Sequence, residues 1–232
     1  MRRWFVLAGM IVILLGALLG WNVRVAAREK REQAFLDTLK GEIVFLRRDG
    51  DDILNIYKIP ARGGAATLLF HNDERTPFKD FDTINQNSLA PRWSKDGKAI
   101  VFVASRGQVA GEKSTGGWKR MVMKTDGSGV RILGDTGDED MLSMDAREEG
   151  IVVEQGDVFV LDEAGQKKQI YDFWGYDGKL NRGASEASFS PDAQEVLFQS
   201  CSWFSSCGIY VADRTGEHIA RVTDGTEPDW RY

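Results

Sequence analysis

Hydrophobic and polar positions divide the chain into three stretches. Trp4 to Leu19 is an unbroken run of apolar and Gly residues, and Gly20 and Trp21 extend it. Its length approaches the roughly 20 residues that a bilayer core requires. Arg2 and Arg3 precede the run, and Trp21 stands where an interfacial aromatic anchors a span. Residues 1–21 are therefore expected to form a transmembrane helix, read as an uncleaved signal anchor. A cleaved signal peptide is the competing reading, with Val25 and Ala27 as a processing site that the adjacent Arg24 disfavours. Residues 25–40 (VAAREKREQAFLDTLK) contain good helix formers and no Gly or Pro, so 22–40 is expected to be a solvated helical linker. From residue 41 onward, short β-branched and aromatic runs alternate with Asp-, Gly- and Pro-containing turns, which predicts strands in hairpins.

Orientation rests on two opposing signals. Arg24, Arg28, Lys30 and Arg31 follow the apolar run and outnumber Arg2 and Arg3, which on a positive-inside count keeps the following domain inside. Long domains translocate largely regardless of such charges, and a short basic start before an apolar run is typical of exported chains. The expectation is a single-pass inner-membrane protein with its domain in the periplasm. Arg2-Arg3-Trp4-Phe5 resembles part of a twin-arginine signal, but the basic segment is short and the following run strongly apolar.

Residues 41–232 repeat. The stretch from Pro91 through Phe102 aligns without a gap on the stretch that ends at Phe198, with Trp93 matched to Phe189; Leu142 to Val153 is a third, weaker copy. Each copy reads as a strand, a tight turn and a second strand. A second hairpin follows each one, at Met121–Leu133, Val158–Gly165 and Ile209–Gly216. The first unit, Glu42 to Phe70, lacks a leading strand, whereas the chain ends on Pro228-Asp229-Trp230, which opens a unit with nothing after it. Supplying the missing strand from the other end closes a ring and leaves no exposed edge at the seam. The expected fold is all-β, a small β-propeller of about four four-stranded blades closed by the C-terminal strand.

These segments resemble the TolB-type propeller repeat, a WD40-like pattern of strand, Ser-Pro-Asp-Gly turn, strand, and a further strand ending in Asp-Gly. Pro91–Val103 with Lys124–Leu133, and Phe189–Ser200 with Tyr210–Trp230, carry the resemblance. TolB is similar to a six-bladed propeller behind an extra domain, while four units are counted here. Pairing with a second copy to complete a ring is the alternative to closure within one chain. The resemblance implies a scaffold for protein contacts in assembly or maintenance of the cell envelope.

Composition narrows the classes without naming one. At 42% hydrophobic and 28% charged residues the chain is in the globular range, which excludes wholesale disorder. The net charge of −5 is uneven: residues 1–40 hold seven basic and three acidic side chains, leaving 23 basic against 32 acidic for residues 41–232. An acidic domain does not recommend a nucleic-acid partner.

In an up-and-down blade, the second-to-third loops and the blade-to-blade loops lie on one face. The long connections are 71–90, 104–118, 134–141, 172–186 and 200–207, all of that kind. They carry Phe78, Phe81, Trp118, Phe173, Trp174, Tyr176, Trp203 and Phe204. Loops on a rigid scaffold carry function, so Phe78, Phe81, Trp118, Trp174, Tyr176, Trp203 and Phe204 are the candidate partner-binding residues. Packing of these aromatics beneath their own loops is the plain alternative. Cys201 and Cys207 flank a hairpin loop at the ends of paired strands, a placement compatible with a disulfide in an oxidising compartment.

Catalysis finds little support. The chain has only His71 and His218 and no G-x-S-x-G elbow, and the hydrolase domain that accompanies such propellers in prolyl oligopeptidases is missing from this sequence. Asp49-Gly50-Asp51-Asp52 and Asp135-Thr136-Gly137-Asp138-Glu139-Asp140 hold enough carboxylates for Ca²⁺, but neither fits the twelve-residue calcium loop, and solvated turns are the better reading. Gly107–Ser114 (GQVAGEKS) misses the spacing of a phosphate loop. No cofactor or metal is expected. A ligand-binding module for a small molecule, sugar or Ca²⁺ is the second hypothesis, and an enzyme with Asp140, Asp145 and Glu186 in the channel the third.

Overall fold

The turns that make the repeat are built from side chains within a few residues of one another. In the computed structural model, which describes residues 20–49, 54–71, 90–105, 118–133, 150–172, 181–202 and 207–232, Ser94 Oγ donates to Asp96 Oδ1 at 2.7 Å. Asp96 Oδ1 accepts from the Lys98 amide at 3.0 Å, and Ser94 Oγ accepts from the Ala99 amide at 2.9 Å. Ser190, Asp192 and Glu195 repeat the arrangement, with Ser190 Oγ to Asp192 at 2.8 Å and the Glu195 amide to Ser190 Oγ at 3.0 Å. The second hairpins turn on Asp126, Asp162 and Asp213, each of which accepts backbone amides that lie two or four residues ahead. Short polar side chains that satisfy backbone donors locally are what make such turns form wherever the motif occurs.

The described residues form fifteen strands and one helix. The helix α1 covers residues 20–36. The strands are β1 (Glu42–Arg48), β2 (Leu54–Pro60), β3 (Thr67–Phe70), β4 (Arg92–Trp93), β5 (Ala99–Ser105), β6 (Trp118–Lys124), β7 (Arg131–Ile132), β8 (Ile151–Glu154), β9 (Asp157–Leu161), β10 (Lys167–Tyr171), β11 (Asn181–Phe189), β12 (Glu195–Ser202), β13 (Gly208–Asp213), β14 (Ile219–Asp224) and β15 (Thr226–Arg231). They form four small antiparallel sheets, ordered β15-β1-β2-β3, β4-β5-β6-β7, β10-β9-β8 and β11-β12-β13-β14. The leading strand expected for the third sheet falls on residues 142–147, outside the described residues.

Two boundaries differ from expectation. Residues 181–186 are not loop: β11 begins at Asn181, with irregular pairing at Gly183 and between Ser185 and Ser188, so the connection there is shorter than the composition suggested. Likewise Ala104, Ser105 and Trp118 pair with one another's strands, Ser105 opposite Trp118. Backbone pairing outweighs the polar and Gly-rich sequence in both places.

The expected join of the last strand to the first is present. β15 pairs with β1 in the register Glu42↔Arg231, Ile43↔Trp230 and Val44↔Asp229. Trp230 is buried, and its Nε1 donates to the Lys40 carbonyl at 2.8 Å. Gly41 sits at φ +85°, and a Cβ there would lie 1.9 Å from the Arg231 carbonyl oxygen, so only glycine lets the two strands close. Buried clusters continue across the join. One links the first and fourth sheets (Ile43, Phe45, Ile59, Leu197, Ile209, Val211, Trp230), a second links the first and second (Val44, Ile56, Trp93, Phe102, Met121), and a third links the third and fourth (Val158, Tyr171, Phe189, Phe198, Tyr210). Among the described residues no such cluster joins the second sheet to the third.

The linker is solvated over only part of its length. Residues 20–31 are exposed, with Trp21 at 69% and Val23 at 68%, but Leu36 and Leu39 are buried and Phe35 partly so, all against the cluster between the first and fourth sheets. Among the described residues no helix is long and apolar enough to cross a membrane. The apolar run of residues 4–19 lies outside them.

Glu42 supplies an acid-sensitive element of the join. Its carboxylate meets Arg231 of β15 at 2.7 Å and Lys58 of β2 at 2.9 Å. Partial burial pushes its pKa up, but hydrogen bonds and charge from Arg231 and Lys58 outweigh that and hold it below 4.5. A carboxyl depressed in the folded state stabilises fully above its unfolded pKa, and the contribution is lost as pH falls through the folded value. Glu42→Gln is expected to lower the unfolding free energy by about 1 kcal/mol at pH 7 and by much less at pH 3, as read from urea melts at both pH values.

Candidate binding face

Antiparallel order places the turns 61–66, 94–98, 125–130, 162–166, 190–194 and 214–218 at one end of the four sheets. The other end collects the second-to-third and sheet-to-sheet connections. Not all of these are long: Gln155-Gly156 between β8 and β9, and Gly225 between β14 and β15, are tight. Hydrogen bonds between sheets form at this second end as well as at Trp93, whose amide donates to Asp229 Oδ2 at 2.6 Å beside the 94–98 turn. The Ala184 amide donates to the Gly156 carbonyl at 2.8 Å, joining the fourth sheet to the third, and the Glu227 amide donates to Gln199 Oε1 at 2.7 Å, joining the first to the fourth; within the fourth sheet Gln199 Nε2 donates to Ser185 Oγ at 2.8 Å. Gly156 and Gly183 approach so closely that a Cβ on Gly183 would lie 2.4 Å from the Gly156 Cα.

Three charged side chains from three sheets lie within electrostatic reach of one another there. Arg92 Nη2 donates to Glu186 Oε2 at 3.3 Å, and both side chains are partly exposed. Glu227 is more deeply placed. Burial raises its pKa, the Glu186 charge adds to the rise, and the Arg92 charge and the Ala90 amide only partly offset them. Its Oε2 is buried without a hydrogen-bond partner. Glu186 and Glu227 occupy the same phase of the repeat, each three residues before the aromatic of its strand (Phe189, Trp230), and Ala90 stands three before Trp93. All three have positive φ, at +51°, +50° and +31°. Glu186 was legible from the sequence as a channel carboxylate; Arg92, Gln199 and Glu227 were not singled out, although the repeat phase marks Glu227.

A hydrogen-bonded chain flanks the face on the first sheet. Asn55 is fully buried; its Nδ2 donates to Asp49 Oδ2 at 2.7 Å, and the Tyr57 hydroxyl donates to the same oxygen at 2.6 Å. With the amide NH₂ turned to Asp49, the Asn55 carbonyl faces His71 Nδ1 at 3.0 Å. An amide carbonyl can only accept, so in that contact His71 Nδ1 is the donor. Burial, then the Asp49 hydrogen bond, raises the Tyr57 pKa, and the Arg47 guanidinium stacks 3.9 Å over its ring. Asp49, one of the carboxylates considered for Ca²⁺, is thus engaged with Tyr57 and Asn55. His218 lies at the opposite end, where its Nδ1 donates to Asp213 at 2.6 Å.

Of the aromatics expected on this face, Phe78, Phe81, Trp174, Tyr176, Trp203 and Phe204 fall outside the described residues, as do Phe173, Asp140 and Asp145. Trp118 is the first residue of β6. Cys201 and Cys207 form the expected disulfide, with a sulfur–sulfur distance of 2.04 Å. The bridge closes the hairpin loop between β12 and β13, and the Gly225 amide donates to the Cys207 carbonyl beside it at 2.9 Å. For so short a loop the chain-entropy estimate is about 2 kcal/mol, so replacing both cysteines by alanine is expected to lower stability by about that amount. Urea melts of the oxidised protein, the reduced protein and the double variant check this; the last two are expected to coincide.

No protein-family model matches the chain, and no curated protein matches it. Solved structures with partial likeness include TolB from Acinetobacter baumannii (14% identity, TM-score 0.28, over 79% of this chain and 41% of that one). The putative TolB from Agrobacterium tumefaciens shows 16% identity and a TM-score of 0.27, over 79% of this chain and 62% of that one. The AtxE2 isopeptidase shows 9% identity and a TM-score of 0.30, over 78% and 31%. This chain spans less than two thirds of each of these structures.

Proposed function

We propose that the four sheets are blades of a small propeller, held at the inner membrane by residues 4–21, whose long-connection face binds a protein partner in the periplasm, in assembly or maintenance of the cell envelope. The observation that carries the reading is the convergence of sheets at one end, where the inter-sheet bonds Ala184–Gly156, Glu227–Gln199 and Arg92–Glu186 make a rigid rim and the disulfide ties down one connection. A rigid scaffold that presents aromatic-rich connections is how loops acquire binding function. The disulfide suits an oxidising compartment, and the apolar run of residues 4–19 supports the anchor.

We read the protein as a binding module rather than an enzyme. His71 is oriented by a buried amide and His218 by a carboxylate, and among the described hydrogen bonds no Ser or Cys contacts either ring. In-cell photo-crosslinking from position 174, with position 96 on the short-turn face as control, tests the partner reading. A discrete adduct from 174 alone is the expected result; no adduct from any long connection of a folded, expressed protein overturns it. The unpartnered Glu227 oxygen favours a second reading, a small charged ligand between the inner strands. That reading requires a rise in melting temperature with such a ligand that Glu227→Gln abolishes.

A further inference from the structure

The root of α1 is seated on one end of the domain. Phe35 stacks on His218, in the β13–β14 turn, with ring centroids 5.6 Å apart. The Leu36 side chain lies beside Gly63, in the β2–β3 turn. Both turns belong to the short-turn end, and Lys40 is held there by the Trp230 indole. Leu36 and Leu39 are buried against residues of the first and fourth sheets together, so two sheets grip the root. Residues 20–31, by contrast, are all exposed. A helix lying along the side of the domain would bury a stripe throughout its length. In this one the side chains packed against the first and fourth sheets are those of its last turn, Phe35 and Leu36, the arrangement of a helix that projects from the domain.

We infer that α1 fixes the orientation of the domain, with the short-turn end toward the membrane and the face bearing Arg92, Glu186, Glu227 and the disulfide turned away from it. The membrane half of this inference rests on the anchor proposed above; the orientation of the stalk does not. The helical residues 22–36, which follow the proposed anchor and contain no Gly or Pro, make a stiff spacer of about 22 Å. Seven-residue strands add about 23 Å between the two ends. A partner of this face is therefore engaged on the order of 50 Å from the bilayer, and cannot be a lipid headgroup or a segment that hugs the membrane.

Two measurements on the full chain separate the parts. Distances between a spin label at Arg24 and one at Lys95 (short-turn end) or Gln155 (opposite end), measured in detergent micelles, test the stalk alone. A narrow distribution, shorter to 95 than to 155 by about 20 Å, is expected; equal, reversed or very broad distributions overturn the inference. Inserting three glycines between Ala34 and Phe35 leaves the root seated, and is expected to broaden both distributions until they overlap. In vesicles of phosphatidylethanolamine and phosphatidylglycerol with a headgroup energy acceptor, transfer from a label at 95 is expected to exceed that from 155 at least twofold. Protein that stays in the supernatant overturns the anchor, whatever the spin-label distances show.

Discussion

Replacing Trp230 with alanine is expected to lower the unfolding free energy by about 3–5 kcal/mol. The side chain is only 1% exposed, lies in the cluster shared by the first and fourth sheets, and sits opposite Ile43 in the pairing that joins the last strand to the first. Its removal leaves a cavity at the join and takes the indole donor from the Lys40 carbonyl. Both losses fall where the last strand is held by one sheet edge. Trp230→Phe keeps most of the volume but not the donor, and is expected to cost about 1–2 kcal/mol. Urea melts followed by circular dichroism measure both. A loss below 1 kcal/mol for the alanine variant would mean that β15 contributes little to the folded state.

The double variant Leu36→Ala, Leu39→Ala is the second large effect, expected to cost about 4 kcal/mol. Each residue is more than nine-tenths buried, against side chains of two sheets. Single leucine truncations cost about 2–5 kcal/mol, and neighbours that share a cavity add incompletely. Trp21→Ala and Val23→Ala, on the exposed part of the same helix, are expected to change stability by less than about 0.5 kcal/mol. Unfolding midpoints of the three variants and the wild type make the comparison. If the double variant melts with the wild type, the helix is a tether only and the orientation inferred above loses its basis.

How much of this was legible beforehand depends on the range of the interaction. The matched turns at Ser94–Gly97 and Ser190–Ala193 were readable because Ser and Asp bond to amides a few residues away, wherever the rest of the chain goes. The union of β15 with β1 was readable by subtraction, since the first unit lacked a strand and the last had one to spare. The disulfide followed from two cysteines that flank one hairpin loop. The burial of Leu36 and Leu39 was hidden, because two leucines at the end of a polar helix make no amphipathic stripe. Asn55 looked like any polar strand residue; that it is buried and aligned between Asp49 and His71 depends on where β1, β2 and the end of β3 come to rest.

What the amino-acid order determined by itself was therefore the strand-and-turn repeat, the pairing partner left over for its last strand, and the bridge between Cys201 and Cys207. All are set by neighbours in sequence or by the arithmetic of a repeat. Only the tertiary structure decided that Arg92, Glu186 and Glu227 lie within electrostatic reach of one another, that the helix root is shared by the first and fourth sheets, and at which end of the domain it sits. Those contacts join residues separated by tens to nearly two hundred positions. They arise from the packing of one sheet on the next, for which no local pattern of side chains is a signal.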